Sequence, residues 1–276
     1  MQVWTASKIV GRRTLLCMAS ESTSPAWSDA ELAGQANPHQ HADKPTKVRG
    51  MFAAIADSYD LNNRVHSLWQ DVRWRNFAVK MAQVQPGEHV LDVACGTGDL
   101  TQAFATRSQA AKVVGVDFTP AMLAHAGEKR QKLAQEPASK ITYAEGDAQQ
   151  LQYPDASFDV VSIAFGIRNV QDPARALREF HRVLKPAGRL IVLEFDQPKN
   201  PAVRWFNDFY CGSVMPRTAT WISGDKSGAY KYLPKSVSTF TPRAEFQKNL
   251  MAANFSNVQS WALSLGICVC YRGYKA

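Results

Sequence analysis

Residues 90–99 read Val90-Leu-Asp-Val-Ala-Cys-Gly-Thr-Gly-Asp99. A hydrophobic run that contains one acid, Asp92, is followed by two closely spaced glycines. The run has the length and composition of a buried β-strand, and the residues from about Leu100 have a helical pattern. Glycines in such a turn let the backbone approach a ligand closely, and the start of the helix offers unpaired N–H groups. The stretch therefore predicts a ligand-binding turn in an α/β domain.

Short β-rich runs alternate with amphipathic segments after this turn. We predict strands over His89–Ala94, Lys112–Asp117, Ile141–Glu145, Phe158–Ala164 and Arg189–Phe195, and helices near Leu100–Arg107, Pro120–Leu133 and Pro173–Val183. Such alternation predicts a mostly parallel sheet that carries helices on both faces.

The last part of the chain departs from this alternation. Residues 196–240 are rich in aromatic residues and predict a helical insertion. Two final strands, at Asn257–Ala262 and Leu265–Tyr271, lie too close in sequence for a parallel crossover, so we expect them to pair antiparallel.

Three acids follow three successive predicted strands: Asp92, Asp117 and Asp147. The carboxyl edge of an open α/β sheet is where ligands bind. There Asp117 is suited to accept hydrogen bonds from a ribose diol, and Asp147 from the amino group of an adenine. The alternatives are a helix cap for Asp117 and a simple turn aspartate for Asp147.

The glycine turn also resembles a dinucleotide-binding loop, but two residues disfavour that interpretation. Thr101 occupies the third glycine position, and Asp92 would repel a pyrophosphate. An acid before the glycines suits a cationic amine instead. The three acids together favour S-adenosylmethionine, while a dinucleotide-dependent oxidoreductase and a non-catalytic basic binding module remain alternatives.

Several motifs resemble known methyltransferases. The residues 92–98, Asp117, 147–148 and 184–188 resemble the class I methyltransferases, which have a seven-stranded, Rossmann-like, mostly parallel sheet with an antiparallel last strand. A closer resemblance is to the ubiquinone/menaquinone C-methyltransferase family, from about Val48 to the C-terminus. It rests on the segments 47–52, Tyr59-Asp60, Asn62-Asn63, Trp74-Arg75, 164–170, Leu193-Glu-Phe195, 230–233 and 272–275.

This resemblance implies methylation of a ring carbon of a polyprenylated quinol by S-adenosylmethionine. The spacing of the first motifs is more similar to the menaquinone branch, which implies conversion of demethylmenaquinol to menaquinol. The methoxy-benzoquinol of the ubiquinone pathway is the alternative acceptor. Ala164 stands where many members have serine, which puts a side-chain hydrogen bond to the cofactor there in doubt.

The motifs supply candidate residues for each role. A phenol has a pKa near 10, and a nearby cation lowers such a pKa by about 1–3 units. We therefore expect Arg168 to stabilise the phenolate and Asn169 to orient the quinol oxygen; the alternative is that Arg168 pairs with an acid and holds a loop.

The remaining candidates are Asp92, Gly96, Thr97, Gly98, Asp117, Asp147, Ala148 and Ala164 for the cofactor, and Tyr59, Tyr230 and Tyr232 for the quinol. The histidines show no metal-ligand spacing, so we expect no metal site.

Composition indicates an ordinary globular protein with a basic C-terminal part. The net charge is +8, and the residues from Lys199 onward include ten basic and three acidic ones. Such a surplus suits an anionic membrane surface, a nucleic acid, an acidic substrate or no partner beyond solvent.

With a prenylated substrate we expect peripheral contact with the inner face of a membrane, a cytoplasmic location and no nucleic acid. A homodimer is compatible with the sequence, and five unpaired cysteines are typical of a reducing compartment.

The N-terminal region lacks hydrophobic periodicity. We expect residues 1–45 to be a disordered leader, or a start site assigned too early with Met18 as the initiator, and residues 46–276 to form the methyltransferase domain. Basic residues without acids before Glu21 are also compatible with an organelle transit peptide, which we rank below a cytoplasmic location.

Overall fold

The computed structural model describes residues 25–276, and these form an α/β fold around one seven-stranded sheet. The strands are β1 His89–Val93, β2 Lys112–Asp117, β3 Ile141–Glu145, β4 Phe158–Ala164, β5 Leu184–Phe195, β6 Phe255–Leu263 and β7 Cys268–Lys275. Their order is β3-β2-β1-β4-β5-β7-β6. β1–β5 pair in parallel, and β7 is antiparallel to both of its neighbours, as predicted.

Eleven helices surround the sheet within these residues. They are α1 Asp29–Leu32, α2 Lys44–Ser67, α3 Gln70–Ala82, α4 Asp99–Arg107, α5 Pro120–Gln131, α6 Gln135–Lys140, α7 Pro173–Val183, α8 Pro201–Phe209, α9 Met215–Ser223, α10 Ala229–Ser238 and α11 Arg243–Ala252. A π-helical turn at Tyr210–Val214 joins α8 to α9, so the predicted insertion is helical.

Alternate residues of the strands face two separate cores, as the two-residue period of a strand requires. One core packs strand residues such as Leu91 and Ile163 against Phe180 of α7 and Phe246 of α11. The other packs Val90 and its neighbours against α3 and α4. Both faces of the sheet are therefore covered, which leaves its edges and strand ends for function.

A third cluster lies off the sheet and is built from helices. It joins Met51 and Ile55 of α2 to Met215 of α9 and to the two tyrosines of α10. Trp27, only 1% exposed, belongs to the same cluster and stacks on Tyr232.

The segment 25–45 therefore differs from the expected disordered leader. Trp27 N–H donates to the carbonyl of Ser227, and the His39 ring bonds the carbonyl of Ser236 at 2.8 Å. The Trp27 ring and a 3-10 turn at Pro38–Gln40 supply these packing contacts, which the polar composition of the segment does not indicate. The predictions of a transit peptide and of Met18 as the initiator concern residues 1–24, which lie outside the described residues.

Candidate active site

A cleft opens at the carboxyl ends of β1–β4, where the strand order reverses between β1 and β4. It holds about 760 Å³ of empty space, including the part open to solvent. The residues that line it are Pro45, Phe52, Tyr59, Ala94, Gly96, Asp117, Phe118, Met122, Gly146, Asp147, Ala148, Gln149, Ala164, Phe165, Gly166, Asn169, Val170 and Gln171.

The glycine turn forms the floor of this cleft. Gly96 has φ +55° and lines the cavity, with no atom near the position that a Cβ would occupy. Gly98 has φ +81° at the start of α4, and a Cβ there would overlap the hydroxyl of Tyr143. The first glycine therefore leaves space for a ligand, whereas the second allows the helix to pack against the sheet.

Two of the predicted acids line the cleft. Asp117, 6% exposed, accepts the N–H of Gly96 through Oδ2 and that of Thr119 through Oδ1, each at 2.8 Å. Burial raises the pKa of Asp117, while these two bonds favour the charged form. Asp147 accepts the N–H of Gln149 at 2.8 Å. Asp117 thus supports the start of α5 and also faces the cavity, so the two interpretations of this residue are compatible.

The third acid lies beneath the turn and does not line the cleft. Asp92 is 1% exposed and accepts hydrogen bonds from Thr101 Oγ1 at 2.6 Å and Ser162 Oγ at 2.8 Å. Burial raises its pKa to about 6. The expected direct contact with a cationic amine therefore differs from this placement, because both hydroxyls turn the carboxylate inward. Thr101 stands at the third glycine position to make one of these bonds.

Thr97 is also turned away from the cavity. Its Oγ1 donates to Asp60 Oδ1 at 2.6 Å, and Lys129 forms ion pairs with Asp60 and Asp99. These contacts join α2, the glycine turn, α4 and α5. Of the predicted cofactor set, Asp92, Thr97 and Gly98 therefore support the turn, and Gly96, Asp117, Asp147, Ala148 and Ala164 line the cleft.

Arg168 lies behind the cleft wall, 4% exposed. Its Nη1 pairs with Glu194 Oε1 at 2.6 Å and donates to the carbonyl of Phe165 at 2.7 Å, and its Nε donates to Ser236 Oγ at 3.2 Å. The guanidinium was expected to face the reacting methyl group, but Glu194 at the end of the neighbouring strand β5 turns it inward. The geometry matches the alternative interpretation, in which Arg168 pairs with an acid and holds the loop.

Asn169 does line the cleft, on the loop between β4 and α7. Its Oδ1 accepts the hydroxyl of Tyr232 at 2.9 Å, and its Nδ2 donates to the carbonyl of Phe165 at 3.3 Å. Tyr232 is 1% exposed, and burial raises its pKa to about 12, so it stays a hydrogen-bond donor. Tyr232 thus orients Asn169 from behind instead of contacting a ligand itself.

The other two tyrosines divide in the same way. Tyr59 of α2 lines the cleft, and burial raises its pKa. Tyr230 is buried in the helical cluster away from the cleft lining. Of the three tyrosines predicted to bind the quinol, only Tyr59 has a wall position.

Lys44 is a functional candidate that the sequence interpretation missed. Its ammonium is buried and donates to the carbonyls of Arg168 at 2.9 Å and Val170 at 2.7 Å, on either side of Asn169. Burial lowers the pKa of Lys44 to about 8. The residue lies in the segment assigned to the leader, and no spacing rule connects it to a loop 124 residues away.

Several apolar lining residues were also missed, although the sequence held a signal for some of them. Phe118 directly follows Asp117, and Phe165-Gly166 lies inside the motif 164–170. Phe52 belongs to the first family motif. Met122 lies in the first turn of α5, and only the position of that helix makes it a wall residue.

Comparison with known proteins assigns the family. A profile of the ubiE/COQ5 methyltransferase family matches residues 40–275. Demethylmenaquinone methyltransferase of Thermus thermophilus is 43% identical over 81% of this chain and 99% of its own length. The protein of the same name from Deinococcus radiodurans is 43% identical over 84% of this chain and 94% of its own. Ubiquinone/menaquinone biosynthesis C-methyltransferase of a Geobacter species is 39% identical over 85% and 98%.

Solved structures agree on the fold. A SAM-dependent methyltransferase from Thermotoga maritima superposes with a TM-score of 0.57 at 21% identity, over 82% of this chain and 99% of its own. That likeness identifies the fold alone. The profile match and the relatives together show that the chain belongs to the ubiE/COQ5 methyltransferase family.

Proposed function

We propose that this methyltransferase transfers the methyl group of S-adenosylmethionine to a ring carbon of a polyprenylated quinol, with demethylmenaquinol as acceptor. The observation that carries the proposal is a single cleft lined by Asp117 and Asp147 at one side and by the Asn169 loop at the other. The names of the Thermus and Deinococcus relatives support the menaquinone ring as acceptor.

The cleft has hydrogen-bond acceptors and space that suit the cofactor. The Asp117 carboxylate is positioned to accept the ribose hydroxyls, and Asp147 the adenine amine. Phe118, Met122 and Ala148 offer apolar surface for the base, and the open space at Gly96 accommodates close approach. When bound, S-adenosylmethionine supplies a methyl group on a cationic sulfur. The protein then needs to orient the acceptor carbon and favour ionisation of the adjacent phenol.

The Asn169 loop performs that second task in our proposal. The Asn169 amide orients the quinol oxygen, because Tyr232 and Phe165 fix its rotation. Arg168 is neutralised by Glu194, but Lys44 forms no ion pair with any residue in 25–276 and donates to the carbonyl of Val170, which lines the cleft. A cation in such a dry position favours a phenolate nearby, and its effect grows toward the transition state.

The substrate also determines where the protein works. No helix among the described residues is long and apolar enough to cross a bilayer. A prenyl tail partitions into the membrane, so we propose that the protein reaches its quinol at the cytoplasmic face of the membrane. A homodimer stays a prediction.

A direct assay tests the function. The purified chain is incubated with methyl-labelled S-adenosylmethionine and either demethylmenaquinol or the demethylated methoxy-benzoquinol, each with a short prenyl tail. We expect label on a ring carbon of the naphthoquinol, little on the benzoquinol, and less label with the Asp117→Ala variant when S-adenosylmethionine is limiting. Faster transfer to the benzoquinol would move the protein to the ubiquinone pathway, and no transfer to either quinol would refute the proposal.

A further inference from the structure

We propose that one apolar surface of this protein docks on an anionic lipid bilayer. The surface consists of Leu68, Trp69, Trp205, Phe206, Phe209 and Leu265, and we call it the docking surface. The inference rests on the proposed function, because it is the bilayer that holds a polyprenylated acceptor.

Helix α8 provides the centre of the docking surface. Trp205, Phe206 and Phe209 are 71%, 62% and 52% exposed, and α8 has no buried residue. The rings of Trp205 and Phe209 stack with centroids 6.1 Å apart. Single exposed apolar residues are common, but a helix whose large side chains all face solvent marks an interaction site.

Two turns extend the surface around α8. Leu68 and Trp69, 75% and 61% exposed, form the turn between α2 and α3, and Leu265, 77% exposed, lies in the turn between β6 and β7. All three have positive φ, at 51°, 60° and 60°. Glycine adopts this conformation readily and other residues do so at a cost. The two turns therefore add large apolar side chains to the exposed surface of α8.

Specific contacts hold the three segments together. The ring of His66, beside Leu68, bonds the hydroxyl of Tyr210 at 2.9 Å, next to Phe209. Ser264 Oγ donates to Gln70 Oε1 at 3.3 Å, which joins the Leu265 turn to the start of α3. A Cβ on Gly266 would lie 3.6 Å from Pro198, just before α8. The six side chains consequently belong to one region of the protein.

The charges around this region favour a bilayer over a second copy of the chain. Arg73, Lys199 and Arg204 are exposed in the segments that carry the apolar residues, and Arg204 pairs with the exposed Asp208 at 3.8 Å, which leaves a net positive charge there. Arginine and lysine near anionic headgroups strengthen membrane binding, as aromatic rings do at the headgroup level. In a two-fold dimer the same basic border would face itself and repel.

The position of the docking surface fits delivery of a quinol. β6 runs parallel to β1–β5, since both β5 and β6 are antiparallel to β7. The Leu265 turn and the start of α8 therefore lie at the carboxyl edge of the sheet, which is the edge where the cleft opens. A head group could pass from the bilayer to the cleft while its tail stays in lipid.

Vesicle sedimentation tests the proposal with the full chain. The vesicles contain phosphatidylcholine alone or with phosphatidylglycerol. We expect binding to the anionic vesicles that weakens with salt, and a loss of about tenfold or more in affinity for the Trp205→Ser, Phe209→Ser double variant, since each ring buries apolar area in lipid. Met251→Ser is the matched control, because Met251 is 54% exposed at the end of α11, near the opposite edge of the sheet.

Activity separates this proposal from the proposed function. The double variant should methylate a short-tailed quinol in detergent-free solution at the unmodified rate and lose activity only on quinol in anionic vesicles. Unchanged vesicle binding by the double variant would overturn the docking surface. The proposal would also be overturned if the unmodified chain bound no vesicles and the double variant changed from dimer to monomer in light scattering. The surface would then contact a second copy of the chain.

Discussion

The two walls of the cleft are built in different ways. The wall where we propose that the cofactor binds, called the cofactor wall, consists of the ends of adjacent strands, and Asp117 is fixed there by backbone N–H groups. The opposite wall is the loop that bears Asn169, and side chains from distant elements hold it: Lys44, Tyr232 and the Arg168–Glu194 pair. The comparison teaches that the proposed cofactor site is formed by the sheet itself, while the proposed acceptor site depends on buried charges brought from elsewhere.

Breaking the Arg168–Glu194 pair should have the largest effect. Arg168→Met leaves the Glu194 carboxylate, 2% exposed, without its cation, and we expect a loss of about 3–5 kcal/mol in the free energy of unfolding. Urea denaturation measures it. Adding Glu194→Gln should recover much of the lost free energy of unfolding, because no charge is then buried without a partner. A stable Arg168→Met variant that lost only kcat would instead place the guanidinium on the substrate.

Removing the Lys44 ammonium should damage the acceptor wall alone. One charge-assisted hydrogen bond is worth about 1.5–3 kcal/mol, and we expect Lys44→Met to cost the positioning of the loop about that much, which lowers kcat by about 10–100-fold. The dissociation constant for S-adenosylmethionine, measured by calorimetry, should change less than about threefold. Lys47→Met is the control, since Lys47 bonds Ala26 and Glu31 and not the loop. Equal loss of cofactor binding in the Lys44 variant would contradict the separation of the walls.

The converse change affects the cofactor wall. Asp117→Ala removes a buried acceptor, and we expect the affinity for S-adenosylmethionine to fall by about tenfold or more. Asp117→Asn, which keeps one acceptor oxygen, should lose less. Unchanged affinity in calorimetry would limit Asp117 to its structural contacts with Gly96 and Thr119.

Most of the sheet was predictable from sequence, because it depends on local patterns. Four of the predicted strands, from His89 to Ala164, agree with the structure to within one residue. β5 starts earlier than predicted, at Leu184, because that residue pairs with Phe158 across a bulge. The antiparallel pairing of the last two strands followed from the short connection between their β-rich runs, although β7 begins at Cys268, three residues later than predicted.

The acceptor wall was less predictable, because its contacts join residues far apart in the chain. Motifs indicated Arg168 and Asn169 but not the direction of either side chain. The Arg168 ion pair requires the adjacency of β4 and β5, and the Tyr232 contact requires the position of α10. Lys44 and Trp27 lay in a segment whose polar composition resembled a leader, so no local signal could assign them.

The smallest predicted effect concerns the segment 25–45. Burial lowers the pKa of His39 to about 4, so the folded protein binds fewer protons than the unfolded chain between about pH 6.5 and 4. The stability from this neutral ring is complete above pH 6.5 and is lost as the pH falls toward 4. His39→Gln should reduce that acid-side loss by about 1 kcal/mol, allowing for solvent screening. Parallel stability curves for both proteins over this range would contradict the prediction.

The most direct test of the two-wall account is to measure cofactor affinity and turnover together in the Asn169→Ala variant. The account predicts a dissociation constant for S-adenosylmethionine within about twofold of the unmodified protein. It also predicts a fall in kcat for the quinol of about 10²-fold, the order expected when one positioned polar group is lost. Tyr232→Phe should give a smaller loss of kcat in the same direction. A collapse of cofactor affinity with normal turnover at saturating cofactor would contradict the account.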